Sequence, residues 1–330
     1  MYSITRKKLL VSAPLDFLPD LKERIFSKSD CIYAYKADKK TIIQHLKENA
    51  FDAWMCSPIP TYMIDAELMD LCPTLKMIAT PSTGVSHLVM SDAEARKISV
   101  YRLKGTAIVD QIYASSEFTF NLMISTIRKT PYAFEAVKDG KWREVEKLYR
   151  GRELNGLTLG IIGYGRIGSN LAKYSLAFGM KILAYDPYVK IDHPEVTQVE
   201  SLDDLLPLSD VVSPCVHLSD ETYHMVSKTM FNKMKDDVYF INTSRGDVVN
   251  EIDLLDALKS GKILAAGLDV ISDEYLGDKN VHPLIAYARE NDNLIITPHI
   301  AGLTYDSERK AQTAAYEAIC EFVTSLEKGA

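Results

Sequence analysis

The stretch that most constrains this chain is Leu157–Tyr185, LTLGIIGYGRIGSNLAKYSLAFGMKILAY. It opens on a short apolar run, Leu157 to Ile162, of the length and type of a strand buried on both faces. A sharp turn follows through Gly163-Tyr-Gly165-Arg-Ile-Gly168. Next comes a helix-period run with Ile167, Leu171, Tyr174 and Phe178 on one side. A second strand-like run, Lys181 to Tyr185, ends at Asp186. Strand, G-x-G-x-x-G, helix, strand, acid is the dinucleotide-binding fingerprint with its context complete.

Each part has a physical task. Gly163 permits the tight turn, Gly165 lets backbone approach a pyrophosphate, and Gly168 lets the helix pack close to the strand. The helix start at Arg166 and Ile167 offers unpaired N–H groups and a positive dipole end to a diphosphate. Asp186 lies where a carboxylate accepts both ribose hydroxyls. A carboxylate there repels a 2′-phosphate, and Pro187 and Tyr188 bring no cation. The pattern therefore favours NAD over NADP; the alternative is a purely structural βαβ unit.

A chain of 330 residues exceeds one ordinary core and suits two domains. Its apolar and charged fractions, 47% and 25%, are those of a soluble globular protein. A formal charge of −7 supplies no basic patch for a polyanion, so nucleic acid is not an expected partner. The charged stretch up to Arg152 reads as a solvated face. No apolar run is long enough to span a bilayer, and the apolar segment near the start is too short for a secretory signal. The five cysteines, Cys31, Cys56, Cys72, Cys215 and Cys320, are scattered and lack metal-ligand spacing. Reduced thiols in a cytoplasmic protein, with no metal, is the expectation.

The first hundred residues alternate strand and helix patterns. Leu9–Ser12, Cys31–Tyr35, Ala53–Met55, Met77–Ala79 and Ile98–Arg102 read as strands. Asp16–Ser27, Thr41–Asn49, Ala66–Leu71 and Leu88–Lys97 read as helices. Such alternation implies a doubly wound parallel sheet, in which function gathers at strand C-terminal ends. One such end, Thr80-Pro-Ser82-Thr83-Gly84-Val85, is rich in small residues whose amides suit a small anion; the alternative is an ordinary turn. Ala114–Lys129 is a long amphipathic segment leading into the charged stretch Val137–Arg152. From Gly151 a second alternating series begins, with strands around Val211–Val212, Val238–Asn242, Ala265–Leu268 and Leu294–Ile296. Its helices are Ser201–Leu206, Lys228–Met234 and Glu251–Lys259.

Three strand ends in this second series carry chemistry: Asn242-Thr-Ser-Arg-Gly246, Gly267-Leu-Asp-Val270 and Thr297-Pro-His-Ile-Ala-Gly302. Hydride transfer to a keto acid needs a cation for the carboxylate, an acid for the carbonyl oxygen, and a group that tunes that acid. Arg245 suits the first, because a guanidinium fork binds a carboxylate bidentately and stays charged. His299 suits the second, because histidine titrates near neutrality. Glu274, a few residues past the Gly267–Val270 strand, suits the third by stabilising the imidazolium. The bland alternatives are a salt-bridge arginine, a hydrogen-bonded core histidine and a surface acid. The other histidines, at 45, 87, 193, 217, 224 and 282, lack so clear a strand-end setting.

With these motifs in place, the chain resembles the D-isomer-specific 2-hydroxyacid dehydrogenases, the family of D-lactate, D-glycerate and 3-phosphoglycerate dehydrogenases. The likeness covers essentially the whole length and is strongest from Glu117 to Gly302. The family's G-x-G-x-x-G and acid match Gly163, Gly165, Gly168 and Asp186. Its N-x-S/A-R-G motif matches NTSRG, which implies a substrate arginine at Arg245, with Thr243 and Ser244 on the cofactor side. Its G-L-D-V-x-x-x-E segment matches GLDVISDE, implying a nicotinamide-contacting acid at Asp269 and the histidine's partner at Glu274. Its T-P-H-I-A/G-G motif matches TPHIAG, implying the acid/base at His299 and a cofactor contact at Gly302. The substrate loop resembles STGVSHL, so Ser82, Thr83, Gly84 and Val85 are implied to bind a carboxylate through backbone groups.

The resemblance also implies an architecture. Residues 1–110 with 304–330 would form a flavodoxin-like substrate domain, and residues 111–303 a Rossmann NAD-binding domain. Members close the cleft on substrate and commonly form dimers, so a homodimer acting on a small 2-keto or 2-hydroxy acid is expected. Some positions depart from the pattern. The usual L-H-V-P-L reads Pro214-Cys215-Val216-His217-Leu218, although Val216 and Thr222 keep the expected cofactor-side types. The proline after the catalytic glutamate is Tyr275, the segment to His299 is longer than common, and an acid of the substrate loop is Val89. Formate dehydrogenases of the superfamily carry Gln where Glu274 stands, which argues against formate. The rival reading is an NADH-sensing, corepressor-like binding protein without significant turnover.

Overall fold

The computed structural model describes residues 7–274 and 278–329; Tyr275 and the neighbouring Leu276 and Gly277 of the long segment lie outside the described residues. The chain divides into two compact units. One comprises the residues up to Ile112 together with those from Leu303 on, and the other is Tyr113–Gly302.

The first unit is built on five parallel strands: β1 (Lys8–Val11), β2 (Asp30–Tyr33), β3 (Ala53–Met55), β4 (Met77–Ala79) and β5 (Ser99–Tyr101). Their order, β2-β1-β3-β4-β5, is the flavodoxin-like doubly wound arrangement. Alternation along each strand feeds two cores. Leu10, Trp54 and Ile78 pack on one face, while Leu9, Val11, Ala53, Met55 and Ala79 pack on the other. Trp54 is fully buried and its indole N–H donates to Ser12 Oγ at 2.9 Å, so the burial leaves no donor unmet. The last helix, Tyr305–Gly329, returns to this unit. Ala315, Tyr316, Ile319 and Val323 recur at helical spacing and cover the face carrying Leu9 and Val11.

The second unit holds seven parallel strands: β6 (Thr158–Ile162), β7 (Lys181–Tyr185), β8 (Val196–Gln198), β9 (Val211–Pro214), β10 (Val238–Asn242), β11 (Ile263–Leu268) and β12 (Leu294–Ile296). Their order, β12-β11-β10-β9-β6-β7-β8, reverses direction between β6 and β9, as in a Rossmann sheet. In β10, Val238 and Phe240 face one core and Tyr239 and Ile241 the other. Each such fully buried side chain contributes about 1.5–3 kcal/mol of transfer free energy. The inner strands of both sheets of this α/β protein, such as β3, β4, β6, β9 and β10, therefore read as mostly apolar runs, since both their faces are covered.

Local differences from the sequence pattern have physical reasons. The Arg166–Ala177 helix buries Gly168, Leu171, Ala172 and Ser175, whereas Phe178 at its C-cap is 52% exposed. Small residues let this helix lie flat on the sheet, and Phe178 instead packs against Phe120 with ring centroids 4.9 Å apart. Strand β8 and the helices Thr130–Lys138 and Pro283–Ala288 had no strong periodic signal in the sequence. The charged stretch past Val137 folds as the end of one of these helices and a 3-10 turn, Arg143–Tyr149. Among the described residues, no helix is long and apolar enough to cross a membrane.

Candidate active site

The glycine turn leaves β6 at the point where strand order reverses, beside the end of β9. Gly163 has φ +92°, and a Cβ there would lie 2.8 Å from the Cys215 carbonyl oxygen and 2.9 Å from Val216 Cγ1. Only glycine meets both demands. A Cβ on Gly168 would lie 2.2 Å from the Gly163 carbonyl oxygen, so the helix can start against the turn only without a side chain. Gly165 differs: a Cβ there meets nothing within 4 Å, and the open space lies over the helix start. The amides of Gly165 and Ile167 donate to no acceptor among the described residues. An exposed backbone ahead of a twelve-residue helix fits a dinucleotide pyrophosphate.

Asp186 ends β7 as expected, and its carboxylate is already engaged. Oδ2 accepts the Tyr164 amide at 2.8 Å, while Oδ1 accepts the amides of Tyr188 at 2.9 Å and Val189 at 3.1 Å. The acid thus ties the glycine turn to the end of β7, and Oδ2 keeps a lone pair for a ribose hydroxyl. Val216 is half-buried at the mouth of β9. Thr222 Oγ1 donates to the His217 carbonyl at 2.6 Å and closes the loop that follows.

The Asn242–Gly246 segment is organised by Asn242, which sequence reasoning did not single out. Its Oδ1 accepts the Ser244 amide at 3.0 Å and hydroxyl at 2.7 Å, and its Nδ2 donates to the Arg245 carbonyl at 2.9 Å. This Asx-type turn is the usual use of asparagine at a strand end. Thr243 shares a 2.6 Å hydrogen bond with Thr119, so it is anchored to the Ala114–Arg128 helix. Arg245 is half-buried, donates from Nη1 to the Ser244 carbonyl at 2.6 Å, and meets no carboxylate among the described residues. Most of its fork remains available to an anionic ligand.

His299 and Glu274 come together. The imidazole Nδ1 lies 2.9 Å from both carboxylate oxygens of Glu274, with side-chain exposures of 34% and 16%. An ionised carboxylate only accepts, so the proton of this contact sits on Nδ1 and Nε2 is left to face a ligand. His299 adopts φ +53°, a left-handed conformation costly for a residue with a Cβ. Asp269 is what holds it there. This acid is 1% exposed; Oδ1 accepts the Thr297 hydroxyl at 2.6 Å and the Ile300 amide at 3.0 Å, and Oδ2 accepts the Ala301 amide at 2.8 Å. The His299 amide donates to the Asp269 carbonyl at 2.9 Å. Gly302 closes this turn, and a Cβ on it would sit 3.7 Å from Ser115 Oγ.

In the first unit, the loop after β4 is tied down by its edges. The Thr80 amide donates to the Tyr101 carbonyl, and the Leu103 amide to that of Ser82. Ser82 Oγ donates to the Gly84 carbonyl at 2.7 Å and contacts Thr80 Oγ1 at 2.9 Å. The amides of Ser82, Thr83, Gly84 and Val85 find no acceptor among the described residues. Four successive unmet donors on a fixed loop are of the kind that suits a small anion.

A glycine turn at a Rossmann switch point, with a histidine–carboxylate pair at neighbouring strand ends, defines a nicotinamide-dependent oxidoreductase. Comparison with known proteins narrows the class. Residues 120–301 match the profile of the D-isomer specific 2-hydroxyacid dehydrogenase, NAD binding domain. A glyoxylate reductase of Thermofilum pendens is 37% identical over 287 residues, covering 85% of this chain and 80% of that protein. A hydroxypyruvate reductase of Thermotoga maritima is 35% identical over 78% of this chain and 80% of its own length. The crystal structure of D-lactate dehydrogenase from Aquifex aeolicus, complexed with NAD and lactic acid, superposes with a TM-score of 0.81 at 31% identity. That match covers 97% of this chain and 96% of that one. The chain belongs to the D-isomer-specific 2-hydroxyacid dehydrogenase family and is an NAD-dependent oxidoreductase acting on CH–OH donors.

Proposed function

We propose that the chain interconverts a small 2-keto acid and its D-2-hydroxy acid, with Arg245 holding the carboxylate and His299 and Glu274 acting as the acid/base pair. The observation that carries this reading is the 2.9 Å contact between His299 Nδ1 and Glu274, which leaves Nε2 as the group that meets substrate. Bound NADH supplies the hydride. The guanidinium of Arg245 fixes the substrate carboxylate and so presents one face of the carbonyl. As charge develops on the carbonyl oxygen, Nε2–H of the imidazolium donates its proton to it, and Glu274 stabilises the charged ring before transfer. In the reverse direction the neutral ring takes the hydroxyl proton.

Cofactor binding is assigned to the Gly163–Gly168 turn, with Asp186 on the ribose. Val216, Thr222, Thr243, Ser244, Asp269 and Gly302 are assigned to the remaining contacts. What supports the turn assignment is the open space over Gly165 beside amides that lack acceptors. The unmet amides of Ser82 to Val85 support a role for that loop on the substrate carboxylate. A homodimer is part of the proposal, supported by the exposed Phe134, Trp142 and Leu148 along one segment of the second unit. Light scattering reads it directly, and a monomer mass would remove it.

The test is to follow NADH absorbance with a panel of 2-keto acids, from glyoxylate, pyruvate and hydroxypyruvate to 2-ketoglutarate, aromatic keto acids and 3-phosphohydroxypyruvate. Oxidation with one or a few of them supports the reading and names the substrate. Silence across the panel with NADH binding intact would overturn it.

A further inference from the structure

A second histidine–carboxylate pair lies in the same unit. Glu251 opens the Glu251–Lys259 helix, and its Oε2 lies 3.2 Å from Nε2 of His282, which precedes the Pro283–Ala288 helix. The two side chains are only 17% and 13% exposed. The other carboxylate oxygen, Oε1, accepts the Ser272 amide at 2.7 Å. Ser272 stands two residues before Glu274. Gly246, next to Arg245, presses on the same peptide: a Cβ there would lie 2.0 Å from the Ile271 carbonyl carbon and 2.2 Å from the Ser272 nitrogen. One carboxylate therefore grips the point where the segment bearing Arg245 meets the segment leading to Glu274.

We propose that Glu251, held by His282, is a positioning residue of the acid/base pair, fixing the Ser272 peptide and through it the placement of Glu274 on His299. The inference rests on the roles given to Glu274 and His299 above.

The protonation of the pair follows from its surroundings. Burial pushes Glu251 up to about 7, and the nearby acids Asp247 and Asp273 push the same way against the Ser272 hydrogen bonds. Burial, with Lys279 adding to it, pushes His282 below the ordinary histidine value. Nδ1 of His282 is buried with no hydrogen-bond partner among the described residues. Burial disfavours the imidazolium, so the ring stays neutral, with Nε2 3.2 Å from the carboxylate. Above about pH 7 the ionised carboxylate then holds the Ser272 amide by a charge-assisted bond. As pH falls through that value, Glu251 takes up a proton and the grip weakens.

Two readouts on the full-length protein test this. Nuclear magnetic resonance of the Ser272 amide should show a titration with a midpoint near 7 in the parent and none in Glu251→Gln. Steady-state kinetics of Glu251→Ala should show kcat lowered about tenfold, with NADH affinity held and KM for the keto acid little changed. Glu251→Gln should lose less kcat and lose the acid limb of its pH profile. If Glu251→Ala does not fold, Glu251→Gln decides alone, since it keeps an oxygen for Ser272 and removes only the titration. A Ser272 amide that does not titrate in the parent, or a kcat pH profile identical in Glu251→Gln and the parent, would overturn the proposal. The amide readout needs no turnover, so it stands apart from failure of the keto acid panel.

Discussion

The two histidine–carboxylate pairs of the second unit are chemically alike and differ in burial. His299 keeps 34% of its side chain exposed and turns Nδ1 to its carboxylate, whereas His282 keeps 13% and buries an Nδ1 that has no hydrogen-bond partner among the described residues. The same two side chains are thus placed in two different settings. Where one ring nitrogen reaches a ligand, the pair can pass a proton; where both are enclosed, the pair can only hold the backbone around it. Backbone geometry follows the same division. The exposed histidine is kept at φ +53° by four hydrogen bonds to Asp269, while the enclosed one has an ordinary extended backbone before a helix.

Breaking the exposed pair should have the largest effect. His299→Ala should lower kcat about 10²–10⁴-fold in steady-state NADH oxidation while NADH binding, read by fluorescence, persists. Near-parental turnover would remove His299 from the mechanism. Next comes the cation. Arg245→Ala should raise KM for the keto acid and lower kcat, together roughly a hundredfold in kcat/KM, or about 3 kcal/mol. Arg245→Lys should recover only part of this, because an ammonium lacks the fork. An equal kcat/KM in the alanine variant and the parent would place the carboxylate elsewhere.

A third histidine sharpens the comparison at the smallest scale. His87, in the first unit, is 7% exposed; among the described residues its ring meets only Cys56 Sγ at 3.7 Å and no carboxylate. Burial pushes it down from 6.5 to about 4. The unfolded state then binds the proton first, so stability is full above pH 6.5 and is lost as pH falls from there through about 4. That loss amounts to on the order of 3 kcal/mol, about 2.5 pKa units at about 1.4 kcal/mol each. Thermal melts of His87→Gln should show a shallower fall of Tm over this range than the parent. Parallel curves would mean that the ring is not buried neutral.

The strand-end motifs were legible because their meaning is local. Gly163 to Gly168, Arg245 and His299 sit at turns where strand type, turn chemistry and side-chain chemistry agree within a few residues. The parallel order of both sheets likewise follows from alternating strand and helix patterns. What the sequence does not reveal depends on contacts between distant residues. Nothing around Glu251 or His282 in the sequence announces that two helix starts meet, and Glu251 reads as one more first-turn acid. Asn242 was visible only as part of a motif, and its grip on Ser244 and Arg245 is a matter of rotamer. Phe178 misled through periodicity alone, because a residue at a helix C-cap leaves the apolar face it follows. Strand β8 is an edge strand with Thr and Gln, too short and polar to stand out.

The central claim is that His299 exchanges the proton that accompanies hydride transfer, and the pH dependence of catalysis in both directions tests it most directly. We would measure kcat/KM for keto acid reduction and for hydroxy acid oxidation between about pH 5 and pH 10 in the parent and in His299→Ala. Reduction needs the imidazolium and should fall as pH rises; oxidation needs the neutral ring and should fall as pH drops. In His299→Ala the alkaline limb of reduction should vanish from the residual rate. A parent whose reduction rate is flat across this range, or a variant that keeps the same alkaline limb, would contradict the account.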